Sequence, residues 1–432
     1  MQRTAVTDTI APAGIAWLIA QGRAKLSQPD SDVQVWRAQG LEAWQVELLR
    51  QQQALRRRSR HRFPCPERWL WTDVSLSQAS DHWSATFKAG LFPKGEPVVD
   101  ACCGAGSDLV ALAARGEVLG VDADAGLAAL AQDNAVAHGY QAGVRVGYLP
   151  AALPPGTRWL SIDPDRRPAG QRTMDVRAFS PSLEQVLDMA HQCAGAVIKL
   201  APSTRNDDDL ETRIDTSCQR VWLGNQGECR QLLLLTGELR QRPRFGDHFA
   251  SGSLRSAVLC EPAPQCESDS ATAVSQPTIE IYRAATTPPQ QVTPAVLGSF
   301  VFDLHPTLHA ADLQIGWGSE QGLSPIGSSH GYFTGDSPVD SAWLQAFEVL
   351  DVLPWDDRKI RKWLRSVGAG QVEVKSRGLY PLRMQFDANA YQRRYSVASG
   401  MPVTLLVTRI GERLRGIAAR RLSTPTKIAP NH

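Results

Sequence analysis

The stretch VVDACCGAGSDLV, Val98 to Val110, constrains this chain more than any other. Val98, Val99 and Ala101 read as a buried strand, the two glycines as a tight turn, and Ser107 onward as a helix. A strand that passes through a glycine turn into a helix is the opening of an α/β ligand-binding unit, because the turn lets a ligand approach the backbone. The dinucleotide pattern Gly-x-Gly-x-x-Gly is incomplete here, with Leu109 where the third glycine would stand. No Gly-Lys-Ser/Thr follows, which excludes a nucleoside-triphosphate P-loop. Asp100 closes the strand, and an anionic side chain beside the turn opposes a pyrophosphate but suits a ligand with a cationic end.

S-adenosylmethionine has such an end, and a sulfonium as well. Val118-Leu119-Gly120-Val121-Asp122 reads as a second strand finishing in an acid, which can accept both ribose hydroxyls of an adenosine. Asp122 alone leaves NAD and S-adenosylmethionine open; Asp100 favours the second. A third element, Leu160-Ser161-Ile162-Asp163-Pro164-Asp165-Arg166-Arg167, delivers Asp163 and Pro164 to the carboxyl edge of the sheet, where open α/β folds bind ligands. Pro164 fixes its own φ, so the groups of Asp163 are presented rigidly.

Strand-like and helix-like stretches alternate from Pro97 to about Cys260, which predicts a parallel sheet covered on both faces. Strands are expected at Pro97–Ala101, Glu117–Val121, Val144–Tyr148, Trp159–Ile162 and Ala196–Leu200. Helices are expected at Asp108–Arg115, Ala125–His138 and Ser182–Cys193. The late strands Arg220–Gly224, Glu228–Thr236 and Ser256–Cys260 follow without full helices between them and suggest an antiparallel edge. The expected division is a helical region at 1–85, an α/β domain at 86–262, a linker at 263–279, a connecting region at 280–345 and a basic domain at 346–425. The helical region ends in the cluster Arg56, Arg57, Arg58, Arg60, His61 and Arg62. From Asp356 to Arg421 fifteen Lys and Arg stand against five Asp and Glu, although the whole chain carries only +2. That asymmetry is the electrostatic signature of phosphate-backbone contact, and Trp355, Trp363, Tyr380, Tyr391 and Tyr395 between the cations either stack on unpaired bases or belong to the core.

On VVDACCGAGSDL, VLGVDAD and SIDPDRR the chain resembles the class I S-adenosylmethionine-dependent methyltransferases. The further pieces Ser75-Leu76-Ser77-Gln78-Ala79-Ser80, Ile198-Lys199-Leu200-Ala201-Pro202, Gly331-Tyr332-Phe333-Thr334-Gly335-Asp336 and Val374-Lys375-Ser376-Arg377-Gly378-Leu379 are similar to bacterial members with a C-terminal THUMP-like domain. The resemblance implies a Rossmann-like sheet of seven strands, an α+β THUMP-like domain and an RNA substrate, tRNA or rRNA. It implies that Gln78, Asp100, Cys102, Gly104, Gly106, Asp122, Ala123 and Asp163 bind the cofactor. It makes Asp163, Pro164 and Lys199 catalytic, and Arg166, Arg167, Arg377 and Arg383 substrate-binding. Two departures matter. The third strand ends in Val146-Gly147-Tyr148-Leu149-Pro150, with no acid for an adenine amino group, and no aromatic follows Asp165 to stack on a flipped base.

The expected reaction is an in-line methyl transfer to a base nitrogen, with Asp163 orienting the acceptor N–H. Covalent pyrimidine chemistry is disfavoured, since Lys199-Leu200-Ala201-Pro202 stands where the nucleophilic cysteine would be. A small-molecule methyltransferase and a non-catalytic RNA-binding protein are the other readings. Eight scattered cysteines form no Cys-x-x-Cys pair or Cys/His spacing, so neither disulfides nor a metal site is expected. No apolar run reaches 18 residues, so no membrane span is expected and the cytoplasm is the expected compartment. Lys88 is expected at the surface.

Overall fold

A computed structural model of the chain describes residues 10–28, 32–165, 175–204, 206–241, 255–262, 277–283, 296–327, 330–379 and 386–422. They form two compact units. The first comprises Met1–Asn225, Arg230–Leu254 and Cys260–Glu280, and the second comprises Gln226–Cys229, Arg255–Leu259 and Ile281–His432.

The first unit begins with the helices α1 (Pro12–Trp17), α2 (Arg23–Leu26), α3 (Val33–Ala38), α4 (Ala43–Ser59), α5 (Asp73–Gln78) and α6 (His82–Leu91). The alternating segment follows as β1 (Val98–Ala101), α7 (Ser107–Ala113), β2 (Val118–Asp122), α8 (Ala125–Ala137), β3 (Gly143–Val146), β4 (Trp159–Ile162), α9 (Leu183–His191), β5 (Gly195–Leu200), α10 (Asp208–Ser217), β6 (Cys218–Asn225) and β7 (Glu228–Thr236). These strands lie in the order β3-β2-β1-β4-β5-β7-β6. β1 pairs in parallel with β2 and β4, as does β4 with β5, whereas β7 runs antiparallel to β5. The expected parallel sheet with an antiparallel edge is therefore present. Two further strands, β8 (Arg255–Glu261) and β9 (Thr278–Arg283), come next in the chain.

The central strands β4 (WLSI) and β5 (GAVIKL) are buried at every position, as strands covered on both faces must be. Asp100 and Lys199 are the charges within β1 and β5, and each is buried. Such charges are tolerated only where something compensates them, which makes the carboxyl edge the candidate site. Helix α10 was not expected from the sequence, because its polar run DDLETRIDTS buries only Leu210 and Ile214. Asp207 caps it, accepting at 3.0 Å from the Leu210 N–H.

The second unit contains β10 (Phe300–Leu304), α11 (Pro306–Ala311), α12 (Gln314–Glu320), β11 (Ser324–Pro325), β12 (Phe333–Gly335), β13 (Leu344–Pro354), α13 (Asp357–Ser366), β14 (Ala369–Ser376), α14 (Ala388–Tyr395), β15 (Met401–Ile410) and β16 (Arg413–Arg421). Its sheet has the order β11-β12-β10-β13-β16-β15-β14. The region expected to be a connector thus supplies β10, β11 and β12 to the same sheet as the basic segment. Period-two burial sorts the strands onto two cores. Val372, Val374, Val403, Leu405 and Val407 pack with Ile360 and Leu364 of α13, while Val301, Tyr332, Phe347, Leu406 and Ile417 form the other core.

Candidate active site

The glycine turn is built by left-handed backbone at the end of β1. Cys102, Gly104 and Gly106 have φ of 57°, 55° and 88°. At Gly106 only glycine fits, since a Cβ would stand 3.0 Å from Ala131 Cα on α8. A Cβ at Gly104 would meet nothing within 4 Å, so the outer side of the turn is open. The Gly104 N–H donates to Asp122 Oδ2 at 2.8 Å, and the Asp124 N–H donates to Asp122 Oδ1 at 2.9 Å. Asp122, the last residue of β2, thereby ties the turn to its neighbour strand; Ala123 is exposed just after it.

Sequence reasoning missed Asn134. This fully buried residue of α8 donates to the carbonyls of Ala105 at 2.9 Å and Leu70 at 3.0 Å. Its Oδ1 accepts from the Leu70 N–H at 2.9 Å and from Arg23 at 3.0 Å. The available signal was one amide on the buried stripe of an alanine-rich helix, where a polar group has to be fully partnered.

Three acids stand at the ends of adjacent strands. Asp100 is 2% exposed, and its Oδ2 has no hydrogen-bond partner. Burial, with Asp108 nearby, pushes its carboxyl well above the usual range. Burial also raises Asp122, against the pull of the two N–H donors. Asp163 follows β4 and donates its own N–H to the Ala101 carbonyl at 3.2 Å. Asp163 Oδ2 is ion-paired with Lys199 of β5, and Lys199 also donates to the Gln78 carbonyl at 3.1 Å. The Gln78 amide in turn donates to Asp165 at 3.3 Å. Asp165 and Ser180 exchange backbone hydrogen bonds of 3.0 and 2.9 Å, which holds the Asp163-Pro164-Asp165 turn. The structure therefore gathers Gln78, Asp163, Pro164, Asp165 and Lys199 into one network.

The thiol of Cys102 is pushed well up by burial and by Asp122, Asp163, Asp100 and Asp165, in that order. A thiol so placed is not a nucleophile.

Lys88 corrects an expectation. It is 3% exposed rather than superficial, because it shares the inward stripe of α6 with Ser84, Ala85 and Leu91. It donates to Asp108 Oδ2 at 2.5 Å and to Ser80 at 2.7 Å, and Ser80 also accepts from Gln231 at 3.1 Å. Burial would raise the Asp108 carboxyl, but Lys88, with Lys199, holds it below the usual range. In the arginine cluster at the end of α4, Arg56 is buried and donates to the Trp69 carbonyl at 3.0 Å, and Arg62 donates to the Leu76 carbonyl at 2.7 Å.

Arg166, Arg167, Arg383 and Tyr380 lie outside the described residues. Arg377 is ion-paired with the buried Asp303, which Lys375 also contacts at 2.7 Å, and donates to the Leu304 carbonyl at 3.3 Å. These contacts tie it to β10 of its own unit. Of the described aromatics in the basic segment Tyr395 is buried in the core, and the half-buried Trp355, Trp363 and Tyr391 pack against it: Trp355 lies 5.1 Å from Tyr391, 5.4 Å from Phe386 and 6.4 Å from Tyr395. Among the described residues no group of three potential metal ligands occurs, and no helix is long and apolar enough to cross a membrane.

Residues 344–421 match the family model of THUMP domain-like modules. An uncharacterised S-adenosylmethionine-dependent methyltransferase, matched in two strains of Mycobacterium tuberculosis, is 28% identical over 355 residues, 80% of this chain and 87% of the relative. A crystal structure of a provisionally assigned methyltransferase from Porphyromonas gingivalis W83 superposes with a TM-score of 0.65 at 17% identity, covering 95% of this chain and 98% of that one. This is the class I methyltransferase fold with a C-terminal THUMP-like domain. The glycine turn after β1 and the acid ending β2 stand together at the carboxyl edge of this sheet, and the Asp163–Lys199 network borders them on β4 and β5.

Proposed function

We propose that the chain is an S-adenosylmethionine-dependent methyltransferase that modifies RNA, tRNA or rRNA, at a base nitrogen, in the cytoplasm. One observation carries the cofactor assignment: the buried, unpartnered Oδ2 of Asp100 beside a glycine turn with open space at Gly104. A buried carboxylate oxygen without a partner is costly, and a cationic ligand relieves that cost. Asp100 and Asp122 are accordingly the residues that would hold the ammonium and the ribose of S-adenosylmethionine, with Gly104, Gly106, Cys102 and Ala123 lining the turn. The cofactor supplies an electrophilic methyl group on sulfonium sulfur.

The chain's own residues supply alignment and proton handling. Lys199 takes one oxygen of Asp163, and Oδ1 has no partner among the described residues. Oδ1 is thus available to accept a hydrogen bond from an acceptor N–H, fixing the nitrogen lone pair toward the cofactor site. With the cofactor bound, the aligned nitrogen would receive the methyl group, and Asp163 would accept the nitrogen's proton and pass it to solvent. Gln78 closes the network from α5 through its carbonyl and amide. The RNA part of the proposal is supported by the THUMP-like match and by the cationic excess of the same residues.

The test is transfer of labelled methyl groups to RNA purified from cells lacking the gene, followed by nucleoside mass comparison. A methylated base appears with the native chain and is lost with Asp163→Ala at unchanged fold. Methyl transfer to small molecules alone, or cofactor-independent RNA binding alone, would replace this proposal by one of its rivals.

A further inference from the structure

The ten residues of α13 have two opposite stripes. Ile360 and Leu364 are buried in the core at i, i+4 spacing. Arg358, Arg361, Lys362 and Arg365 stand at i, i+3, i+4 and i+7, so all four fall on one helix face, and all are exposed. Lys359 is exposed beside them. The facing helix α14 adds Arg393 and Arg394, also exposed. Asp357 joins the two helices, lying 3.0 Å from Arg361 and 3.6 Å from Arg394. Among the described residues Arg358, Lys359, Lys362, Arg365 and Arg393 have no ion-pair partner.

This spacing works against the helix itself. Like charges three or four residues apart destabilise a helix by roughly 0.2–0.5 kcal/mol per pair, and the stripe contains four such pairs. A helix face that only needed solubility would interleave glutamates. Within the stripe Asp357 compensates only Arg361, and a local rule broken with so little compensation inside the chain points to compensation from outside it. We propose that the α13–α14 face is a docking surface for the phosphate backbone of RNA. This deepens the proposed function and rests on its RNA reading. It also relocates the contact, away from Arg377, which is consumed by Asp303.

The chemistry of the face sets the mode of binding. Tyr395 is buried in the core and Trp355, Trp363 and Tyr391 are half-buried against it, so the surface offers cations and few rings, with Tyr391 beneath Arg394 at 5.7 Å. Such a surface reads phosphates, not bases. It holds and orients many RNAs alike and leaves selection of the nucleotide to the methyltransferase unit.

The experiment is a salt series of binding to bulk tRNA by the full chain, native and as the triple variant Arg358→Gln, Lys362→Gln, Arg365→Gln. The native chain is expected to bind with a steep dependence of log K on log salt. The variant is expected to lose about two to three units of that slope, roughly 0.7–0.9 per phosphate contact, and to bind at least about tenfold more weakly. Its melting temperature should not fall, because repulsion is removed, and its S-adenosylmethionine affinity should be unchanged. Arg358→Lys with Arg365→Lys should retain the native slope. A folded triple variant with native slope and affinity overturns the surface while leaving the RNA reading intact. A native chain that binds no RNA overturns that reading itself. Charge-dependent capture by phosphatidylserine vesicles without RNA binding assigns the face to a membrane and overturns the proposal.

Discussion

At the scale of single residues, Asp100 is the most informative side chain in the molecule. Its position at the end of an apolar strand was legible in the sequence; its missing hydrogen-bond partner was not, because partners come from tertiary packing. An acid whose pKa is raised by folding binds its proton more tightly in the native state. Its contribution to stability is full below the ordinary carboxylate pKa and is lost as pH rises through the raised value. A cation docking on Asp100 selects the ionised form, so cofactor binding should release a proton wherever Asp100 is protonated in the free protein. Calorimetric titrations at one such pH in two buffers of different ionisation enthalpy should give different heats, and affinity should rise with pH. Equal heats in both buffers would contradict the placement of the cation on Asp100. Asn134 marks the limit of residue-level reading: nothing in ALAQDNAVA says that one amide will bind the glycine turn, the Leu70 backbone and Arg23 at once.

At the scale of elements, the strands and most helices were readable because apolar runs and glycine turns punctuate them clearly. Helix α10 escaped because it rests on two buried residues and a cap, a pattern too polar to show periodicity. Lys88 was misplaced for a related reason: a lysine on an apolar stripe looks like a snorkelling surface residue until its partner is known, and Asp108 lies on another helix. The pair ties α6 to α7 behind the glycine turn. Lys88→Met should leave Asp108 buried without its counterion and destabilise the protein by about 3–5 kcal/mol, read as a lowered midpoint in urea. A variant with the native midpoint would show that the pair does not brace the site. The same logic applies in the second unit. Burial would raise the Asp303 carboxyl, but Arg377 and Lys375 hold it below the usual range. Its stabilisation is therefore present above the ordinary carboxylate pKa and lost as pH falls through the lowered one. Arg377→Met should cost about 1.5–3 kcal/mol of stability at neutral pH, since Lys375 still faces Asp303. If it weakened RNA binding with stability unchanged, the residue would be a phosphate contact after all.

At the scale of the whole molecule, the charge asymmetry and the α/β alternation mark a difference in chemistry between the two units. The first unit carries buried acids around an open glycine turn; the second carries an exposed cationic face over an aromatic core. The extent of the second unit was hidden, because β10, β11 and β12 are short and reach β13 only through β10, by pairings distant in sequence. Cation binding by the first unit is the property on which the methyl-transfer reading stands. Titrating S-adenosylmethionine into the native chain and into Asp100→Asn, which keeps the shape and removes the charge, measures it. One site is expected in the native chain, weakened at least about tenfold in the variant, near the 1.5–3 kcal/mol of a hydrogen bond to a charged group. Equal affinities, or no binding to the native chain, would contradict it.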